Sequence, residues 1–151
     1  MAQHHVHLDD LPTLVGQRLG PSRELLVDQA RIDQFAQATD DYQWIHVDPV
    51  LAAASPFGGT IAHGYLTLSL LVPLWQDLLT VEGAGFAVNY GLDKVRFPAP
   101  LRSGTSISLS ATVTSIDELE DGYAMSVSMT VTAPTSERPV CAAEVRYRFL
   151  R

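Results

Sequence analysis

Between Thr39 and Leu70 the sequence TDDYQWIHVDPVLAAASPFGGTIAHGYLTLSL brings together two adjacent carboxylates, a tryptophan and two histidines around a glycine-rich break. Histidine beside carboxylate is the equipment of general acid–base chemistry at neutral pH. Polar titratable groups set between apolar segments are costly to bury unless paired. A polar loop next to a buried helix is therefore a site candidate. Each residue also has a plainer reading. Asp41 could cap a turn, His46 could be a satisfied loop histidine, and His63 could cap or pack at a helix start. Trp44 and Tyr65 could line a core or a pocket wall.

Other chemistries find less support. No Ser/His/Asp set is visible, and the single cysteine, Cys141, sits in an alternating run from Val140 to Phe149, where it reads as a small hydrophobe. The N-terminal His4, His5 and His7 lack a rigid frame, so no metal is assigned to them. The formal net charge of −7 argues against general nucleic-acid binding. No Lys or Arg occurs from Ile32 to Asp93, and seven of the ten basic residues come later, from Lys94 to Arg151. A polyanionic ligand would have to be met by these later residues, unless they are solvated strand edges that discourage aggregation. MAQHHVHLDDLP does not read as a signal peptide, and the apolar stretch Ile61–Val81 contains His63, Pro73, Gln76 and Asp77, so it reads as a core helix and not a membrane span. A cytoplasmic protein is expected.

The elements that must position these residues follow from periodicity. The 151 residues suit one domain, expected over 11–151 behind an N-terminal tail at 1–10. Arg23–Val27 is a short strand candidate. Asp28 is placed to cap a helix carrying Ile32, Phe35, Ala36 and Ala38, which ends at Thr39-Asp40-Asp41. Asp48 and Pro49 are the N-cap and first residue of a short helix, broken by Ser55–Gly59. A longer helix, apolar nearly all round, starts at Ile61 or His63, and Pro73 predicts a kink or break within it. Beyond Gly85, FAVNYGLDKVRF is rich in strand formers and its glycine marks a bulge or bend. Ser106–Ile116, Tyr123–Ala133 and Val140–Phe149 alternate as half-buried strands. One buried helix followed by long neighbouring strands predicts an α+β architecture, an antiparallel β-sheet wrapped around a central helix.

The run Asp41-Tyr42-Gln43-Trp44-Ile45-His46-Val47-Asp48-Pro49 resembles the hydratase motif of MaoC-like proteins and (R)-specific enoyl-CoA hydratases. In that motif an Asp is followed five residues later by a His and then by an Ala-rich helix. The QWIH wording is closest to the NodN-like branch. Ile61-Ala62-His63-Gly64, Asn89-Tyr90-Gly91 and Lys94-Val95-Arg96-Phe97-Pro98-Ala99-Pro100 are similar to that family too, in the same order and spacing. One position departs: Asp40 stands where the family usually has glycine, so that a second carboxylate either perturbs its neighbour or faces water.

The resemblance implies a hot-dog fold and syn addition of water to a trans-2-enoyl thioester, giving an (R)-3-hydroxyacyl-CoA. Asp41 and His46 would hold and deprotonate the water, and the Gly64 backbone N–H at the helix start would receive the developing oxyanion. A glycine there would let the substrate approach closely. His63, Tyr65, Asn89 and Arg96 are expected at the substrate. No cofactor is implied, since CoA would be carried by the substrate. A homodimer joined edge to edge is implied, with basic residues such as Arg96 or Arg102 meeting CoA phosphates, and with no nucleic-acid or membrane partner. A hot-dog acyl-CoA thioesterase and a non-catalytic acyl-thioester-binding subunit remain as alternatives.

Overall fold

The computed structural model describes residues 3–151. In chain order its elements are β1 (His4–His7), a 3-10 helix (Leu8–Leu14), β2 (Arg18–Leu19), β3 (Leu25–Val27), α1 (Gln29–Thr39), α2 (Trp44–Val47) and α3 (Pro49–Ala53). There follow α4 (Gly64–Ser69), α5 (Leu71–Leu78), β4 (Leu79–Glu82), β5 (Phe86–Arg96), β6 (Thr105–Leu119), β7 (Gly122–Thr132) and β8 (Cys141–Leu150).

The alternating runs of the second half form the sheet. Its order is β2-β6-β7-β8-β5, with β3 also pairing β6, and all these pairs are antiparallel. The period of two puts Ile107, Leu109, Ala111 and Val113 of β6 on the same inner face as Met125, Val127, Met129 and Val131 of β7, while serines and threonines face outward. The inner face curls around α4 and α5, whose Leu66, Leu71, Leu74, Trp75 and Leu78 are buried against it. This is the expected sheet around a central helix. Cys141 is fully buried in that core, and burial pushes its thiol up to about 11, as suits a packing residue.

The helix breaks, but not at Pro73. It breaks at Leu70, and Pro73 lies within α5. Proline has no N–H to give to the Ser69 carbonyl and its ring crowds that carbonyl, so the disturbance falls on the turn before it. Asp28 and Asp48 act as the expected N-caps: Asp28 accepts from Arg31 N, and Asp48 accepts from Val50 N and Leu51 N. Asp40 is the C-cap of α1, exposed, with φ 57° and ψ 21°. That left-handed geometry favours glycine and tolerates Asp or Asn, which accounts for the residue type usual at this position.

Residues expected as an N-terminal tail are folded from His4 onward. β1 runs parallel to β4, and Leu8, Leu11 and Leu14 of the 3-10 helix are buried. Their short apolar spacing carries no strand or α-helix signal. His7 accepts from Asp9 N and His5 lies 3.7 Å from Glu82, so these histidines have local partners. β1 and β4 form a separate two-stranded sheet; at one edge of the main sheet, β5 is exposed along nearly its whole length, and its register shifts between Asn89 and Gly91, at the expected bulge.

Candidate active site

The site is assembled where α1 ends, α2 turns and α4 begins. Asp41 follows the left-handed turn at Asp40 and leaves its carboxylate about half exposed, with 48% side-chain accessibility. His46 lies in α2, a single turn, and is only 6% exposed. Its Nδ1 is 2.7 Å from the carbonyl of Ile61. A carbonyl only accepts, so Nδ1 carries the proton and the neutral ring presents a bare Nε2. Burial holds His46 below the ordinary histidine range, and the neighbouring His63 acts the same way. The bond to Ile61 and the charge of Asp41 oppose them. The result is a neutral imidazole at neutral pH, ready to accept a proton.

His63 sits beneath this pair. Its ring is stacked on that of His46, centroids 3.8 Å apart at 25°, and is 2% exposed. Its Nε2 donates to the backbone carbonyl of Asp41 at 3.0 Å and lies 4.0 Å from the Asp41 carboxylate. A donor atom each from Asp41, His46 and His63 falls within 4.8 Å of the others. A single water can bridge such a gap between Asp41 and His46. The same cluster is a poor metal site. His63 Nε2, the nitrogen that lies toward Asp41, is protonated toward a carbonyl and so is not free to ligate.

The Gly64 amide opens the first turn of α4 and has no intrahelical acceptor. His46 and Gly64 share a cavity of about 310 Å³ whose walls include Phe57, Thr67, Phe97 and Leu101. Glycine at this position also meets a local packing need. A Cβ at Gly64 would stand 2.9 Å from the Phe97 ring, so a side chain there requires the ring or the backbone to shift.

The other expected substrate residues are dispersed. Tyr65 is 72% exposed, and Arg96 is exposed with Nη1 on the carbonyl of Val95. Asn89, on β5, lines two adjoining cavities of about 360 and 300 Å³ between the central helix and β5, which share Val72 and Tyr147. Tyr147 stacks on Trp75 there, centroids 5.7 Å apart. Arg102 donates to the carbonyl of Gly58, ahead of Ile61, so one late basic residue reaches the catalytic half within its own chain.

Two positioning contacts carry no sequence signal. Gln29 donates to the His46 carbonyl at 2.7 Å and accepts from Thr60 Oγ1 at 2.6 Å, tying α1, α2 and the loop before α4 together. In the sequence it is one polar residue after a helix cap. Phe97 sits beside the expected Arg96 and gives no sign that its ring closes over Gly64.

The model of the MaoC like domain family matches residues 10–136 of this chain. The chain belongs to the MaoC-like family. A 3-hydroxyacyl-thioester dehydratase Z of Mycobacterium tuberculosis is 45% identical over 142 residues, covering 93% of this chain and 94% of that protein. Nodulation protein N of Rhizobium meliloti is 50% identical over 106 residues, 69% of this chain and 66% of its own length, in keeping with a NodN-like relationship. The solved (R)-hydratase from A. caviae superposes with a TM-score of 0.74 at 22% identity, covering 89% of this chain and 96% of that one, and shows the fold to be the MaoC-like hot-dog. The family is one of dehydratases and hydratases, and hydro-lyase chemistry is what its membership supports. No helix among the described residues is long and apolar enough to cross a membrane.

Proposed function

We propose that this chain reversibly hydrates trans-2-enoyl thioesters, with enoyl-CoA as the substrate form, to (R)-3-hydroxyacyl thioesters. The observation that carries this reading is the wiring of His46. Its Nδ1–H is committed to Ile61, leaving Nε2 bare; Asp41 adds a carboxylate to the same cluster, and His46 and Gly64 line one cavity. A water held between Asp41 and Nε2 gives its proton to the imidazole while its oxygen attacks C3. Negative charge then moves to the thioester oxygen, which the Gly64 N–H is placed to receive. The proton is delivered to C2, and dehydration runs the same path backwards. No separate cofactor takes part; CoA enters and leaves with the acyl group.

The protein acts as a homodimer in this reading. Phe86, Val88, Tyr90 and Leu92 are all exposed along β5, the sheet edge that also walls the cavities lined by Asn89. An apolar row on an unpaired strand edge calls for a partner. Cations of the second half, Arg102 among them, face the CoA phosphates.

The test is hydration of crotonyl-CoA, followed as loss of enoyl absorbance, with the stereochemistry of the product determined. Asp41→Asn and His46→Ala are each expected to lower kcat by about 10²–10⁴-fold. Full activity in both variants would refute the site. Release of free thiol from an acyl-CoA would point to a thioesterase, and tight acyl-CoA binding without hydration would point to a binding subunit.

A further inference from the structure

The hydration reading uses Asp41, His46 and the Gly64 amide, and leaves His63 without a task. Its burial is unusual for a group with nothing to do. The ring is 2% exposed, Nε2 donates to the Asp41 carbonyl, and Nδ1 is buried with no hydrogen-bond partner. A buried bare nitrogen costs free energy that an apolar side chain would avoid. Phe35 covers part of the ring at 5.0 Å between centroids, His46 lies stacked on it, and Thr67 Oγ1 bonds to the His63 carbonyl. The side chain is thus held rigidly, and each of its two working surfaces meets a different catalytic residue.

We infer that His63 is a positioning residue for the Asp41–His46 pair, its Nε2–H fixing the Asp41 loop while its ring face sets the plane of His46. The inference rests on the hydration reading for its meaning, not for its geometry. The Asp41 side chain is half exposed and has one weak local contact, the Gln43 amide at 3.4 Å from Oδ1. Without the bond from His63 nothing described ties the Asp41 backbone to the helix that bears Gly64. His46 is held by Nδ1 at one edge only, so rotation about that bond is limited by the surface beneath it. One rigid imidazole at the start of α4 therefore places both proton-handling groups relative to the Gly64 amide, which is the next residue in the chain.

The two surfaces can be separated by substitution. In His63→Gln the amide N–H reaches the Asp41 carbonyl but the flat ring is lost. In His63→Phe the ring face remains and the donor is lost. The titratable groups facing His46 are His63 and Asp41, so both variants remove the neighbour that helps hold His46 low, and its titration is expected to move to higher pH in each. In crotonyl-CoA hydration, His63→Phe is expected to lose about 100-fold in kcat with KM nearly unchanged, the scale of a misplacement of about 1 Å. His63→Gln is expected to recover at least a tenth of wild-type kcat, with the acidic limb of its pH–rate profile displaced upward.

Long-range 15N–1H NMR of the histidines gives a readout that needs neither activity nor a variant. In the wild type the neutral tautomers are expected to be Nε2–H for His63 and Nδ1–H for His46. A His63 proton on Nδ1 would overturn the inference. So would a folded His63→Phe variant with wild-type kcat and an unmoved His46 titration. If the wild type hydrates no enoyl thioester, the hydration reading fails alone. The tautomers and the His46 titration still decide whether His63 positions the pair.

Discussion

The two halves of the molecule are held together by different means. In the sheet, β6, β7 and β8 align side chains of one type on one face, and stability comes from apolar burial around Leu74 and Met125. In the catalytic half, between the end of α1 and the start of α4, side chains are fastened to main-chain oxygens. His63 holds the Asp41 carbonyl, His46 the Ile61 carbonyl, Gln29 the His46 carbonyl and Arg102 the Gly58 carbonyl. A packed face tolerates exchange among residues of similar volume, whereas a carbonyl needs a donor at one point in space. The sheet should therefore lose stability when altered, and the loop should lose activity.

Leu74→Ala is the strongest test on the packing side. The residue is fully buried between helix and sheet, and its truncation is expected to cost about 2–5 kcal/mol in denaturant unfolding. Activity per folded molecule should stay near that of the parent. A stable but inactive variant would erase the contrast.

Gly64→Ala tests the other side. The added methyl meets the Phe97 ring at 2.9 Å, so either the ring or the amide must move. A loss of about 100-fold in kcat is expected with modest change in melting temperature. Phe97→Leu added to Gly64→Ala should restore part of it by returning space. If Gly64→Ala alone is fully active, the amide is not at the reacting oxygen.

The pH dependence is a smaller effect. Burial lowers His46 from its ordinary value near ~6.5. The neutral base thus persists as pH falls past that value, and the acidic limb of kcat/KM is expected below it. Stability has the matching sign. Between the unfolded value and the lower native one the unfolded chain binds more protons, so the contribution is full above about pH 6.5 and is lost as pH falls through that window. Unfolding in urea across pH 5–8 measures it, and His46→Ala should flatten it.

The smallest expected change is at Asp40. Asp40→Gly relieves a left-handed backbone at φ 57° but loosens the unfolded chain, so the net effect should stay within about 1 kcal/mol. Activity unchanged in that variant would show that the second carboxylate serves the turn and not the chemistry.

The same division explains what could be read in the sequence. The alternation of Ile107, Leu109, Ala111 and Val113 is a side-chain pattern, so it survives in the letters, as do the caps at Asp28 and Asp48. The pairing of Asp41 with His46 came from the resemblance of Asp41–Pro49 to a family motif, since Asp41 lies outside α2 and no local period links the two. Main-chain carbonyls are the same at every residue, so the partners Ile61 and Gln29 left no trace. The stack of His46 on His63 depends on the Ser55–Gly59 break bringing α4 back beneath α2. The closure of Phe97 over Gly64 spans 33 positions that no local period connects. Pro73 announced a break, yet its place at Leu70 follows from hydrogen-bond geometry one turn earlier.

The order of the elements also governs how the chain is made. The central helix leaves the ribosome before any of the three long strands that cover it, and β5 must wait for β8. At about 5–20 residues per second the stretch from Leu78 to Leu150 takes roughly 4–14 s to emerge. Through that interval Leu71, Leu74, Trp75 and Leu78 have no sheet to meet. Newborn chains are thus at their stickiest in mid-synthesis, and yield of intact protein should depend on chaperone supply and growth temperature more steeply than the finished domain's melting point would suggest.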